Sequence, residues 1–208
     1  MRAGPVVNAP TVIILASGRG ERFVASGGRT DKLQARLAGK TVLEHTLAAV
    51  RVSGLPWHLE DAGHPGMGDS IAAAVRATMA AAGWLILPGD LPLIHGDTLR
   101  AVAAALCASA AVVPVYQGQH GHPVGFHAGF RSELLQLHGS RGAAEIVRSG
   151  CALELPVGDI GCVTDVDTVA DLRAVAHACA PPEDAGPGWR SARYLPWVAK
   201  EIPQNFQK

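Results

Sequence analysis

The sequence predicts an α/β fold with a mostly parallel sheet between helices, on three observations. Short apolar runs alternate with stretches of helical spacing along nearly the whole chain. The two clearest runs, TVIILA (11–16) and WLILPGD (84–90), are apolar without alternation, as strands covered on both faces are. Glycine or proline closes both of these runs. Strand and helix in alternation favour parallel pairing through helical crossovers.

Each element follows in order. TVIILA is the first strand, and the glycine-rich loop LASGRGERFVASGGRTDKL (15–33) succeeds it. TVLEHTLAAVRV (41–52) has helical spacing, WHLEDA (57–62) reads as a short strand, and SIAAAVRATMAAA (70–82) is an alanine-rich helix with Ser70 as its N-cap. WLILPGD is the second buried strand, Gly96 to Cys107 a helix, and AAVVPV (110–115) a strand. HPVGFHAGF (122–130) reads as a turn with a short strand, SELLQLH as helical, and RGAAEIVRSG as a helix ending at Gly150. CALELPV (151–157) and GCVT before Asp165 are strand-like, and TVADLRAVAHACA is the last helix, up to Pro181. Beyond it the composition shifts to five prolines and two tryptophans without a period, which divides the chain into a domain, 1–180, and a tail, 181–208.

Composition narrows the function classes. The chain has 208 residues, 48% hydrophobic and 17% charged, enough apolar material for a substantial core. Lys+Arg and Asp+Glu balance at 18 each, which argues against a nucleic-acid coat or a polybasic membrane anchor. Cys107, Cys151, Cys162 and Cys179 form no Cys-x-x-Cys pair, so thiols in a reducing compartment are expected rather than a disulfide frame or a zinc site. The first ten residues lack a signal-peptide core and no run is long enough to span a bilayer, so the expected location is cytoplasmic.

Two familiar phosphate motifs fail on their spacing. Gly18-Arg-Gly20 begins like a dinucleotide fingerprint, yet Phe23 stands where the third glycine belongs. Gly39-Lys40-Thr41 resembles the end of a P-loop, but Gln34 replaces the required first glycine and no strand precedes it. What remains is a constellation. Gly18 and Gly20 let backbone N–H groups approach an anion, and Arg22 and Lys32 add charge, with Arg29 a rival to Lys32. Asp90, at the end of a buried strand, is a carboxylate suited to Mg2+ against phosphates. Asp165 or Asp167 supplies a second ligand, the other serving as N-cap of the last helix. All of these follow predicted strands, where ligands of open α/β sheets bind.

The ordered set of motifs resembles the MobA-like nucleotidyltransferases, which move a nucleoside monophosphate from an NTP to a phosphorylated acceptor. Leu-Ala-x-Gly-x-Gly-x-Arg-Phe with a following lysine, GMGDSI (66–71), LPGDLP (87–92), GHPVGF (121–126), SRGAAEIV (140–147) and DVDT (165–168) carry it over roughly residues 11–175. Within the family the sequence is most similar to molybdenum cofactor cytidylyltransferases. Ser17 lies where the CTP and GTP branches differ and fits neither, and the stretch before GMGDSI is short by about one βα unit.

The resemblance implies a three-layer Rossmann-like nucleotidyltransferase fold that binds CTP (or GTP), with Mg2+ as cofactor and a phosphorylated pterin as acceptor. A molybdenum enzyme receiving the product is a further implied partner. It implies Leu15, Ala16, Ser17, Gly18, Gly20, Arg22, Lys32, Gly68 and Ser70 at the nucleotide. Arg22, Lys32 and Asp90 would be catalytic, Asp90 and Asp167 would hold the metal, and Gly121, His122 and Pro123 would shape the acceptor side. A nucleotidyltransferase for another phosphate acceptor and a non-catalytic cofactor-delivery protein stay open.

Overall fold

β1 (Thr11–Leu15) shows how this sequence makes a sheet core, because none of Val12, Ile13 and Ile14 exposes any surface. β-Branched side chains on both faces of the pleat need a cover on both sides, and the chain supplies two helical layers. The structure is a computed structural model describing residues 9–18, 20–149 and 152–178. The predicted tail at 181–208, the last two residues of the predicted domain, Cys151, Cys179 and the helix end at Gly150 lie outside those residues.

The remaining elements follow in chain order. α1 (Glu21–Ala25) sits in the opening loop, β2 (Arg36–Leu37) and β3 (Lys40–Thr41) form a small hairpin, and α2 (Val42–Ser53) follows. Next come β4 (Trp57–Glu60), α3 (Met67–Ala77), β5 (Gly83–Pro88) and α4 (Gly96–Ala105). β6 (Ala111–Tyr116), β7 (Gln119–His120), β8 (Val124–His127) and α5 (Arg131–Leu135) lead to α6 (Ala144–Ser149), β9 (Leu153–Pro156) and α7 (Val169–Ala178).

The seven-stranded sheet runs β4-β1-β5-β8-β6, with β7 pairing the end of β6 and β9 lying parallel on the other side of β6. β8 is antiparallel to both of its neighbours, so it and β7 oppose an otherwise parallel sheet. Alternation along the strands sorts the core into two layers. Val12, Ile14, Leu85 and Leu87 pack with Leu47, Val50, Leu99 and Val102 of α2 and α4. Ile13, Trp84, Ile86 and Phe126 pack with Ile71, Val75 and Leu134 of α3 and α5 on the opposite face. No helix among the described residues is long and apolar enough to cross a membrane.

Three local expectations need correction. The GCVT segment is a 3-10 turn, Ile160–Val163, rather than a strand, because the Asp159 carboxylate caps it at Gly161 N (2.9 Å) and accepts from Thr98 Oγ1 (2.6 Å). α3 begins three residues before Ser70, with Gly66 as N-cap, and Ser70 Oγ turns back to the Gly66 carbonyl (3.2 Å). Neither Asp165 nor Asp167 caps α7. Thr168 and Asp171 do so reciprocally, through Thr168 N to Asp171 Oδ2 (2.8 Å) and Asp171 N to Thr168 Oγ1 (3.2 Å).

Candidate functional site

β1 and β5 are parallel and in register, with Leu15 opposite Pro88, so the loops that leave them start side by side. Gly89 N donates to Leu15 O (2.9 Å), and Thr46 Oγ1 of α2 donates to Gly89 O (3.0 Å), which fixes the turn carrying Asp90. Val166 N then donates to the Asp90 carbonyl (3.0 Å), drawing the 165–167 segment onto the same edge. The carboxyl ends of the strands thus hold three loops together, as the order of motifs predicts.

The opening loop is stapled rather than loose. Phe23, in the place of the missing fingerprint glycine, is 2% exposed and anchors a third core cluster with Leu33, Leu37, Val42, Val166 and Val175. Ser26 Oγ donates to Phe23 O (2.8 Å) and accepts from Val169 N (3.0 Å), tying the long insertion to the start of α7. Gly20 has φ +59°, and a Cβ there would lie 3.3 Å from Lys32 N, so glycine suits both the turn and the approach. Asp31 Oδ1 accepts from Leu33 N (2.8 Å), capping the short 3-10 turn that presents Lys32.

Lys32 occupies the centre. Its Nζ donates to Asp90 Oδ2 (2.6 Å) and Asp167 Oδ1 (2.8 Å), while Arg22 on the open rim donates to Asp167 Oδ2 (2.7 Å). Burial by itself lowers the Lys32 pKa, but the charges and hydrogen bonds of Asp90 and Asp167 outweigh it and raise it above the ordinary lysine value. For Asp167 burial works upward, and the Lys32 and Arg22 contacts together hold it below the usual carboxylate range. Asp165 is pushed up, first by burial and then by the Asp90 charge. Burial pushes His122 down against the pull of Asp90, so its imidazole is held neutral. Asp90 Oδ1 and His122 Nδ1 are buried and carry no hydrogen bond.

Two adjoining cavities meet at Lys32 and Asp90. The larger, about 600 Å³, has Gly18, Gly20, Arg22, His122, Asp165 and Asp167 in its wall. The smaller, about 340 Å³, is lined by Leu15, Ser17, Gly18, His64, Met67 and Ser70. Ser17 and Ser70 share a hydrogen bond of 2.7 Å across it. Ala16, Gly68, Gly121 and Pro123 line neither cavity. Ala16 N bonds the Glu60 carbonyl (2.8 Å), Gly68 lies against the His138–Arg141 backbone, and Gly121 N bonds Pro114 O (2.8 Å) beside Cys162. Arg29 is exposed and lines neither cavity. His64 and its partner Glu60 escape sequence reasoning, because no motif marks them.

The chemistry on offer is anion binding beside a pair of carboxylates. Backbone N–H groups and two cations can take phosphates, and Asp90 with Asp167 can hold a hard cation. Among the described residues no three His, Cys, Asp or Glu side chains form a metal cluster. A Mg2+-like ion that keeps several waters and binds through one or two carboxylates fits that donor set, and the unpartnered Asp90 Oδ1 supplies a free ligand atom.

Known proteins match this architecture. The model of the MobA-like NTP transferase domain matches residues 48–155, just over half of the chain. No curated protein sequence matches it. The crystal structure of Rv0371c from Mycobacterium tuberculosis H37Rv is 28% identical, with TM-score 0.65 over 82% of this chain and 99% of that one. Its complex with manganese superposes with TM-score 0.65 at 24% identity, covering 82% of this chain and 100% of that one. A nucleotidyl transferase from Methanothermobacter thermautotrophicus shares the fold at 19% identity, with TM-score 0.68 over 82% and 97% of the two chains.

Proposed function

The chain belongs to the MobA-like NTP transferase family, and from that premise we propose that it transfers CMP from CTP to the phosphate of the molybdopterin cofactor, releasing pyrophosphate. The observation that carries the reading is the convergence of Lys32, Asp90, Asp167 and Arg22 beside a glycine turn, at the junction of two cavities. The choice of CTP rests on the later sequence motifs, Gly-His-Pro-Val, the Arg-Gly-Ala helix start and Asp-x-Asp-Thr.

The nucleophile is a phosphate oxygen of the acceptor, already anionic, which attacks the α-phosphorus as the bond to the bridging oxygen breaks. Positioning and charge neutralisation therefore matter more than a general base. Gly18, Gly20 and Arg22 bind the triphosphate, and Lys32 neutralises charge where the leaving pyrophosphate forms. Ser17, Ser70 and Leu15 take the nucleoside end in the smaller cavity. Neutral His122 lines the larger cavity on the acceptor side, and Gly121 and Pro123 hold its loop. Asp90 and Asp167 would hold a divalent cation; the manganese complex of Rv0371c supports that class of ion. When bound, such an ion supplies Lewis-acid polarisation at the phosphates.

Purified protein with molybdopterin, Mg2+ or Mn2+ and labelled CTP or GTP tests the reading. Expected is transfer of label from CTP with stoichiometric pyrophosphate, and a loss of about a hundredfold or more in Asp90→Asn, using the cost of deleting one transition-state contact as a guide. Preference for GTP moves the assignment to the guanylyl branch. Transfer to another phosphate acceptor replaces the pterin. Cofactor binding without pyrophosphate release makes it a delivery protein.

A further inference from the structure

The smaller cavity contains a polar arrangement that none of the family motifs accounts for. Glu60, at the end of β4 beside Leu15 of β1, is only 7% exposed, yet both of its carboxylate oxygens are engaged. Oε1 lies 3.1 Å from His64 Nε2 and accepts from Ala62 N (3.3 Å), while Oε2 lies 3.4 Å from His58 Nε2. A carboxylate only accepts, so the His64 nitrogen facing it carries a proton, and in that single-proton tautomer Nδ1 is a lone-pair acceptor. His64 lines the same cavity as Ser17 and Ser70.

The serine pair has a matching polarity. Ser70 Oγ donates its proton to the Gly66 carbonyl (3.2 Å), so in the 2.7 Å contact Ser17 is the donor. The remaining hydrogen-bonding capacity of Ser17 is again lone pairs. Ser17 and His64, each with acceptor capacity to spare, thus line a space shared with Leu15, Pro65 and Met67 and, where it meets the larger cavity, with Glu21, Lys32 and Asp90. Both are half-buried in the free protein, and a base that covers them must bring donors, because a missing donor leaves them desolvated and unpaired.

We propose that His64, oriented by Glu60, reads the nucleotide base by accepting a hydrogen bond from its exocyclic amino group. The inference rests on the nucleotide reading above and deepens it. His64 selects bases that carry the amino group over partners that lack it, and Glu60 is the positioning residue that sets its tautomer. Selection of this kind separates CTP from UTP and GTP from ITP, whichever base ring the cavity prefers.

Isothermal titration of the full-length protein with CTP, UTP, GTP and ITP, in Mn2+ at pH 8, tests it. Wild-type protein should bind the amino-bearing member of its preferred pair about tenfold more tightly, the scale of one neutral hydrogen bond. His64→Leu should bring that ratio to about one by weakening only the amino-bearing ligand. Glu60→Gln lets an amide N–H face Nε2 and turn Nδ1 into a donor, so the ratio should fall below one or near it while binding of the ligand without the amino group persists. A ratio unchanged in His64→Leu, with folded protein by circular dichroism and intact nucleotide binding, overturns the inference alone. Binding of none of the four nucleotides by wild-type protein overturns the nucleotide reading and the inference with it.

Discussion

Replacing Lys32 by Met should expose how much of the fold depends on the cation at the centre of the site. The substitution keeps most of the side chain's volume and removes one charge. Lys32 and Asp90 are 15% and 12% exposed at the side chain, so solvent screens their pair poorly, whereas Asp167 is 30% exposed and keeps Arg22. Lys32 is the one donor to the Asp90 carboxylate among the described residues, because Asp90 Oδ1 already has none. Removing one partner of a buried ion pair leaves a charge uncompensated, at about 3 kcal/mol. For a domain of this size that is a fall of about 6–12 °C in Tm.

The pH dependence has a definite sign. The folded-state pKa of Lys32 is raised above 10.5, so its contribution is complete below that value and is lost as pH climbs through the higher folded value. Asp167 is depressed below 3.8, so its contribution is present above that value and is lost as pH falls through the lower folded value. The Lys32→Met deficit should therefore be flat across neutral pH and shrink in acid, where carboxylates neutralise. Urea titrations followed by circular dichroism at several pH values, on the single variant and on Lys32→Met/Asp90→Asn, measure it. The double variant should recover most of the loss. A single variant as stable as wild type at pH 7, or a double variant that recovers nothing, refutes the argument.

Two other outcomes are expected. Gly68→Ala places a Cβ 2.6 Å from Arg141 O and His138 N, both backbone atoms, so it should lower stability by about 1–3 kcal/mol in the same urea titration. Burial, with the Asp159 charge behind it, pushes the Cys162 thiol up to about 12, so peptide mapping after iodoacetamide at pH 8 should find it unmodified in native protein. Exposed Cys107 should be alkylated under the same conditions.

The sheet was legible because its strands are short and strongly apolar. The runs around Ile13 and Ile86 need cover on both faces, and that alone predicts the layered architecture. Lys32 and Asp90 stood out in the sequence because ligand-binding loops of open α/β sheets follow such strands. The choice between Lys32 and Arg29 was not, since it depends on Phe23 anchoring the insertion and on Asp31 capping the turn before Lys32. The α7 cap had a visible signal, Thr168 three residues ahead of Asp171, which two nearer aspartates obscured. His64 offered no signal. Its place in the site arises only when β4 and β1 pair and set Glu60 beside Leu15, two residues before Ser17.

The contacts at Asp167 also bear on time. Arg22 and Lys32 reach it across 145 and 135 residues, from the first loop to the segment before the last described helix. Closure of so long a loop is entropically costly in the open chain, so these contacts are expected to form after the intervening sheet, an order that φ-values of Lys32 and Asp167 variants would check. Interactions made that late leave the folding rate almost untouched and act on the rate of unfolding. A ligand that takes over those carboxylates from Lys32 therefore also takes over the clasp between the two ends of the domain. Occupancy of the site then sets how long each molecule stays folded.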